Sequence, residues 1–137
     1  MKHYNVRFLI LTAAISMTMA ACQESLEQKA AHEALMYTTK NCPIQMSDNL
    51  IMDSLTFEAD THTLHYYYTL TGVADSVGLL NGETLKKVLR TDLKNTTAMM
   101  DYKEAGYQFT YTYHSQKDPN KVLFEVTFDE NDYNQKD

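Results

Sequence analysis

Two stretches of two-residue alternation constrain this chain more than any other feature. Leu55, Phe57 and Ala59 alternate with Ser54, Thr56 and Glu58, and after Asp60-Thr61 the residues Leu64, Tyr66, Tyr68 and Leu70 alternate with His65, Tyr67 and Thr69. Successive strand residues point to opposite faces, so this pattern predicts two half-buried strands. A two-residue turn at Asp60-Thr61 pairs Ala59 with His62, Phe57 with Leu64 and Leu55 with Tyr66, which holds both apolar sets on one face. A second alternation starts after Gly106: Tyr107, Phe109, Tyr111 and Tyr113, then a polar loop around Asp118-Pro119-Asn120, then Val122, Phe124, Val126 and Phe128. Pairing Tyr113 with Val122 sets Tyr111 opposite Phe124 and Phe109 opposite Val126.

Each hairpin follows a stretch of helix-forming residues. Residues 25–39 carry Leu26, Ala30, Ala34 and Tyr37 at three- and four-residue spacing, Ser25 is placed to cap them, and Pro43 stops them by disfavouring helical geometry at Cys42. Asn81-Gly82 opens a second helix to about Met99, with Leu85, Val88, Leu89, Leu93 and Thr96 along one stripe. The order αββαββ predicts an α+β domain made of two helix-hairpin units. The simplest packing is one antiparallel sheet with both helices on its apolar face. Strand order is left open. With 137 residues there is room for one domain, expected over 29–130, with a tether at 22–28 and a frayed polar tail at 131–137.

The first 21 residues obey a different logic. Lys2 and Arg7 precede a 14-residue apolar stretch from Phe8 to Ala21. That is shorter than the roughly 20 residues of a spanning helix, and its length, basic start and small-residue end are those of a signal peptide. Met19-Ala20-Ala21-Cys22 resembles the lipobox of bacterial lipoproteins, with Met19 where Leu is commoner. The resemblance implies cleavage before Cys22, a diacylglycerol on its thiol and acylation of the new amino group. Three acyl chains at about 0.8 kcal/mol per buried methylene amount to a permanent membrane anchor. Gln23, in place of the Asp associated with inner-membrane retention, points to the outer membrane of a Gram-negative bacterium, facing the periplasm or the outside. Glu24 and Glu27 resemble acidic surface-export signals of some Bacteroidetes lipoproteins.

After Cys22 the balance is 10 Lys and Arg against 18 carboxylates, a net charge of −8. A nucleic-acid partner is excluded on that ground, since phosphate binding needs clustered cations. With Cys22 lipidated, Cys42 has no internal disulfide partner. The pattern around Cys42 has no base at nucleophile spacing, and a helix C-terminus disfavours a thiolate, so it reads as a packing residue. His62 and His65 fall on opposite faces of a strand. His65 and His114 share the polar face without a carboxylate or cysteine at ligand spacing, so no metal and no cofactor are expected. That polar face, built from His65, Tyr67, Thr69, Thr110, Thr112 and His114, with Leu123, Glu125 and Thr127, is the candidate binding surface for a sugar or peptide. A solvated face of strand-favouring residues is the plainer reading of the same pattern. Asp53-Ser54-Leu55 and Asp75-Ser76-Val77 match the acceptor pattern of Bacteroidetes O-glycosylation, with Ser76 the better placed of Ser54 and Ser76. No phosphate-binding glycine loop, nucleophile elbow or His-Glu-x-x-His is present.

Asn41-Cys42-Pro43, Asp53-Ser54-Leu55 and Tyr66-Tyr67-Tyr68-Thr69-Leu70 together resemble a set of small uncharacterised bacterial exported proteins. These share a helix ending in Asn and Pro, a Tyr-x-Tyr hairpin, a helix and a last Tyr-x-Tyr hairpin. The likeness covers most of residues 30 to 130 and implies no activity. Some members carry a cysteine pair near the last hairpin that this chain lacks. The expected function is a non-catalytic binding or accessory module on the outer membrane. The alternative is an immunity or inhibitor protein against an exported enzyme or toxin.

Two outcomes check this reading. Replacing Cys22 by Ser should leave the precursor uncut and heavier by its signal peptide on an immunoblot. Native Cys42 should react with a maleimide at least tenfold more slowly than the denatured chain, read by intact mass.

Overall fold

Ser25 begins the first element because its side chain accepts the Gln28 amide at 3.1 Å while Gln28 Oε1 accepts the Ser25 amide at 3.1 Å, a reciprocal capping box. The computed structural model describes residues 24–76 and 81–136 of the chain; the expected signal peptide at 1–21 and the expected lipidation site Cys22 lie outside them. From that cap α1 runs Leu26–Asn41, and Cys42 closes it in an extended conformation before Pro43, as the restriction ahead of proline requires. The expected tether therefore loses its last three residues to the helix. Ala30 and Ala34 are the buried positions of α1, and their small side chains let the helix lie close to the sheet. Tyr37, expected on the packing stripe, is exposed.

The strands are β1 (Ile44–Ser47), β2 (Leu50–Glu58), β3 (Thr63–Leu70), β4 (Gln108–Ser115) and β5 (Val122–Phe128), lying side by side in that order. The first hairpin has the expected register: Phe57 faces Leu64 and Leu55 faces Tyr66. Its turn carries His62 at φ 50°, and the His62 amide reaches the Ala59 carbonyl. An irregularity between Met52 and Ser54 lets Asp53 bulge out of the ladder. The four-residue β1, exposed at every position, is an addition: its Ile44-Gln45-Met46-Ser47 alternation is only four residues long, too short to stand out in the sequence. Where β1 ends, the β2 edge is completed by α1: the Thr38 hydroxyl donates to the Leu55 carbonyl and accepts its amide, both at 2.8 Å.

The sheet is mixed, which corrects the antiparallel expectation. β3 and β4 run parallel, from Thr63 beside Gln108 to Leu70 beside Ser115. A parallel pair needs a long crossover, and the helical layer supplies it. After a 3-10 turn at Gly72–Asp75 the crossover contains α2 (Gly82–Asn95), a second 3-10 turn at Thr97–Met99 and α3 (Met100–Glu104). The helix expected to reach Met99 thus breaks at Asn95. The buried Lys103 ammonium donates to the carbonyls of Leu93 and Lys94 at 2.8 and 3.0 Å, satisfying the orphan groups of that break. Gly106 at φ 75° then turns the chain into β4 through paired bonds from the Gly106 amide to Lys103 and from the Tyr107 amide to Tyr102. That pairing is a Schellman motif, which favours glycine at this position.

In the second hairpin β5 is shifted by two residues from the expected register. Tyr113 faces Phe124, Tyr111 faces Val126 and Phe109 faces Phe128, with an irregularity beside His114 and Val122. A shift of two preserves the face, so the aromatic set stays in the core while Val122, expected there, is exposed. Both helices do cover one face. Ala30 and Ala34 belong to one core with Leu55 and Leu64, while Leu89 and Leu93 line a cavity of about 240 Å³ together with Tyr66, Tyr68 and Tyr111. Val88, expected on the stripe, is exposed. The expected frayed tail is also corrected: Asp129 caps α4 (Glu130–Asn134), and the buried Tyr133 hydroxyl donates to the carbonyls of Lys103 and Tyr107 at 3.2 and 3.0 Å.

Parallel pairing stacks Tyr66 on Tyr111 and Tyr68 on Tyr113, both at 4.9 Å between ring centroids. Burial pushes the Tyr66 and Tyr113 hydroxyls up to about 12, and those of Tyr68 and Tyr111 further in the same direction. The raised folded-state values mean that stability is intact below roughly pH 10, where unfolded tyrosine ionises, and falls as pH rises from there towards 12. Tyrosinate absorbance and near-UV circular dichroism should therefore change in one coincident alkaline step for this group. Ending the chain after Asp129, which removes Tyr133, should lower stability by about 3 kcal/mol in urea titration, whereas ending it after Asn134 should leave the midpoint almost unchanged.

Candidate functional site

The polar sheet face assembles as the alternation predicts, because odd-numbered residues of β3 and even-numbered residues of β4 share the face turned away from the helices. His65 is its centre. Nδ1 lies 2.9 Å from Glu58 Oε1 and 2.9 Å from the Tyr67 hydroxyl, and Nε2 lies 2.7 Å from Thr112 Oγ1. The Thr112 hydroxyl donates its single proton to Glu125 Oε2 at 2.6 Å. Nε2 must therefore carry a proton and donate to Thr112, since a hydroxyl that has given its proton can only accept. The chain Glu58–His65–Thr112–Glu125 crosses four elements, from β2 to β5. The Tyr67 ring stacks on His65 at 4.0 Å. Alongside, the Thr110 and Thr127 hydroxyls are bonded at 2.8 Å, and Thr69 donates to Asp53 Oδ2 at 2.8 Å.

Glu58, His65 and Thr112 have the hydrogen-bond order of an acid-base-nucleophile triad, and the surroundings decide against that chemistry. Thr112 is 2% exposed and its proton is already committed to Glu125. β4 is flanked by β3 and β5, so its amides are taken up by the sheet and do not form an oxyanion hole. The relay acts as a clasp that fastens four strands on the face the helices leave open, with its two carboxylate ends, Glu58 and Glu125, in contact with solvent.

All six residues expected on the binding face are there, and they divide into two groups. His65, Thr110 and Thr112 are tied into the bonded network. Tyr67, Thr69 and His114 line a pocket of about 320 Å³ together with Asp53, Ser54 and Pro119. Asp53 was absent from the sequence pattern because its place on this face comes from the bulge in β2. Of the two candidate glycosylation sites, Ser54 lies within β2 opposite Tyr67, and Ser76 is half-buried, following the buried Asp75. Asp75 is held below the usual carboxylate range by bonds from Ser115 and the Lys117 amide. Cys42 is half-buried against the core, and burial, with Asp53 near it, pushes its thiol up, away from nucleophilic character.

The helical face holds a second concavity that no sequence period announces, since it lies between elements far apart in the chain. Ala30, Ala34 and Tyr37 of α1, Leu64 of β3, Met99 and Tyr102 line a mostly apolar groove of about 440 Å³. The small α1 residues keep its floor low, and the Tyr102 hydroxyl, donating to Glu33 Oε2 at 2.6 Å, braces its wall. Among the described residues no group of three or more His, Cys, Asp or Glu is arranged to hold a metal, and no helix is long and apolar enough to cross a membrane.

No curated protein sequence matches the chain. Three solved structures share its fold. A Pseudomonas aeruginosa protein described as secreted has a TM-score of 0.63 at 14% identity, covering 81% of this chain and 99% of its own. The pilotin of the Vibrio vulnificus type 2 secretion system has a TM-score of 0.64 at 9% identity, covering 80% and 93%. The type II secretion system pilotin of Vibrio cholerae has a TM-score of 0.58 at 10% identity, covering 77% and 90%. A family model described as a domain of unknown function (DUF8479) matches residues 25–124, from the cap of α1 into β5, and the chain belongs to that family.

Proposed function

We propose that this protein is an outer-membrane lipoprotein, anchored through Cys22, that works without catalysis as an accessory module holding a protein partner in the groove between α1 and α3. The groove carries the reading: the exposed ring of Tyr37 and the half-buried Met36 and Met99 line it over a floor that includes the buried Leu64 and Tyr102, beside the charged side chains of Glu33 and Lys40. Such a surface suits an apolar anchor of a partner, with charged groups at the margin setting its orientation. The fold supports the same reading, because two of its structural likenesses are pilotins of type II secretion systems. The lipobox pattern at Met19–Cys22 supports the anchor.

A photoreactive residue at Met36 or Tyr37 of the full-length lipoprotein, expressed in its own membrane, should crosslink to one envelope protein. The same residue at Lys87, on the exposed side of α2, should not. Tyr37→Glu should reduce recovery of that partner at least tenfold while leaving the far-UV spectrum and urea midpoint unchanged. Identical adducts at positions 37 and 87, or full recovery with Tyr37→Glu, would show that the groove is not the partner site.

A further inference from the structure

The pocket on the opposite side of the sheet has a chemistry of its own. Its carboxylate, Asp53, accepts one bond from Thr69 and forms no ion pair with a described Lys or Arg. Its imidazole, His114, has an Nδ1 that is buried with no hydrogen-bond partner among the described residues. An unbonded ring nitrogen of this kind calls for an occupant or a rotation that meets one. The Tyr67 ring stands 6.5 Å from the His114 ring with the planes 21° apart, so the two form adjoining aromatic walls.

The hydrogen-bond inventory of the face selects the ligand. The Thr69 and Thr112 hydroxyl protons already go to Asp53 and Glu125, and the face adds a third carboxylate at Glu58. Strands β2 to β5 contain no Lys or Arg. Acceptors are in excess and the local charge is negative. A neutral sugar needs donors as well as acceptors, and an anion meets repulsion. A guanidinium offers five donors in a plane, a positive charge and a flat face that stacks on aromatic rings. A carboxylate with an adjoining tyrosine ring is the combination that binds it, through a bidentate pair and a cation–π contact.

We propose that the pocket formed by Asp53, Tyr67, Thr69 and His114 binds the guanidinium group of an arginine-bearing ligand, with Asp53 as counter-ion and Tyr67 as stacking surface. The site is separate from the groove and stands whether or not the groove binds a partner, since the two lie on opposite faces of the sheet.

The test is an NMR titration of the full mature chain in detergent micelles, with tyrosine and histidine side chains labelled. Probes are N-acetyl-arginine methylamide, its uncharged isostere N-acetyl-citrulline methylamide, methyl glucoside and the peptide Gly-Arg-Gly amide. The arginine compound should shift Tyr67 and His114 resonances saturably, with citrulline at least tenfold weaker and methyl glucoside without effect. Asp53→Asn keeps an acceptor for Thr69 and should weaken arginine binding at least tenfold with the rest of the spectrum unchanged. If that variant fails to fold, added salt serves in its place, since it should weaken arginine binding to the wild-type chain several-fold. Tighter binding of the peptide than of the free arginine compound assigns the site to a protein ligand, and equal binding assigns it to a small guanidinium compound. Equal binding of citrulline, preference for methyl glucoside, or arginine binding indifferent to both Asp53→Asn and salt overturns the proposal.

Discussion

The in-register parallel pairing of β3 with β4 is the constraint on which the rest of the structure depends. It runs over eight residue pairs without a bulge. On one face it stacks Tyr66 on Tyr111 and Tyr68 on Tyr113, and on the other it brings His65, Tyr67 and Thr69 alongside Thr110, Thr112 and His114. Two parallel strands cannot be joined by a tight turn, so the chain must travel the length of the sheet between them. That journey is made by α2 and α3, which is why the helical layer exists and why it lies over the tyrosines. The groove and the polar pocket are the two sides of this one arrangement.

The two faces are stabilised by different physics. On the helix side, aromatic rings are removed from water beneath small residues such as Ala30 and Ala34, and apolar burial supplies most of the stabilisation. On the open side no described element forms a second layer, and Thr112 reaches 2% exposure through its neighbours on the sheet. Hydrogen bonds from Glu58 to Glu125 replace the missing packing. A face satisfied in this way stays polar, negative and rigid, which suits recognition better than it suits burial.

Much of the candidate site was legible before the fold was known. Period-two alternation assigned all six polar-face residues to one face, because side-chain direction along a strand is a local property, and the pairing of β3 with β4 brought the two sets together. Asp53 was not legible, since it joins the face only through a bulge that breaks the period. The groove was not legible either: Ala30, Leu64 and Tyr102 are far apart in the chain and signal nothing individually. Val122 and Tyr37 had the right type and spacing for the core and were left outside it. The two-residue shift of β5 and the irregularity beside it pair Val122 with His114 in place of Tyr113, and no described element covers Tyr37 where α1 borders the groove.

Taken alone, the sequence determined what depends on neighbours a few residues apart. That includes the cap at Ser25, the stop at Pro43, the first hairpin with its register, and the apolar and polar faces of β3 and β4. The tertiary structure alone decided what depends on contacts between distant segments. β4 pairs parallel with β3, β5 slides by two, and the polar tail becomes a helix because Tyr133 finds the carbonyls of Lys103 and Tyr107. The physical reason is the same in each case. Alternation specifies which face a residue belongs to, and a face is unchanged by strand direction, by a two-residue slide or by strand order, so only long-range packing and hydrogen bonding could choose among them.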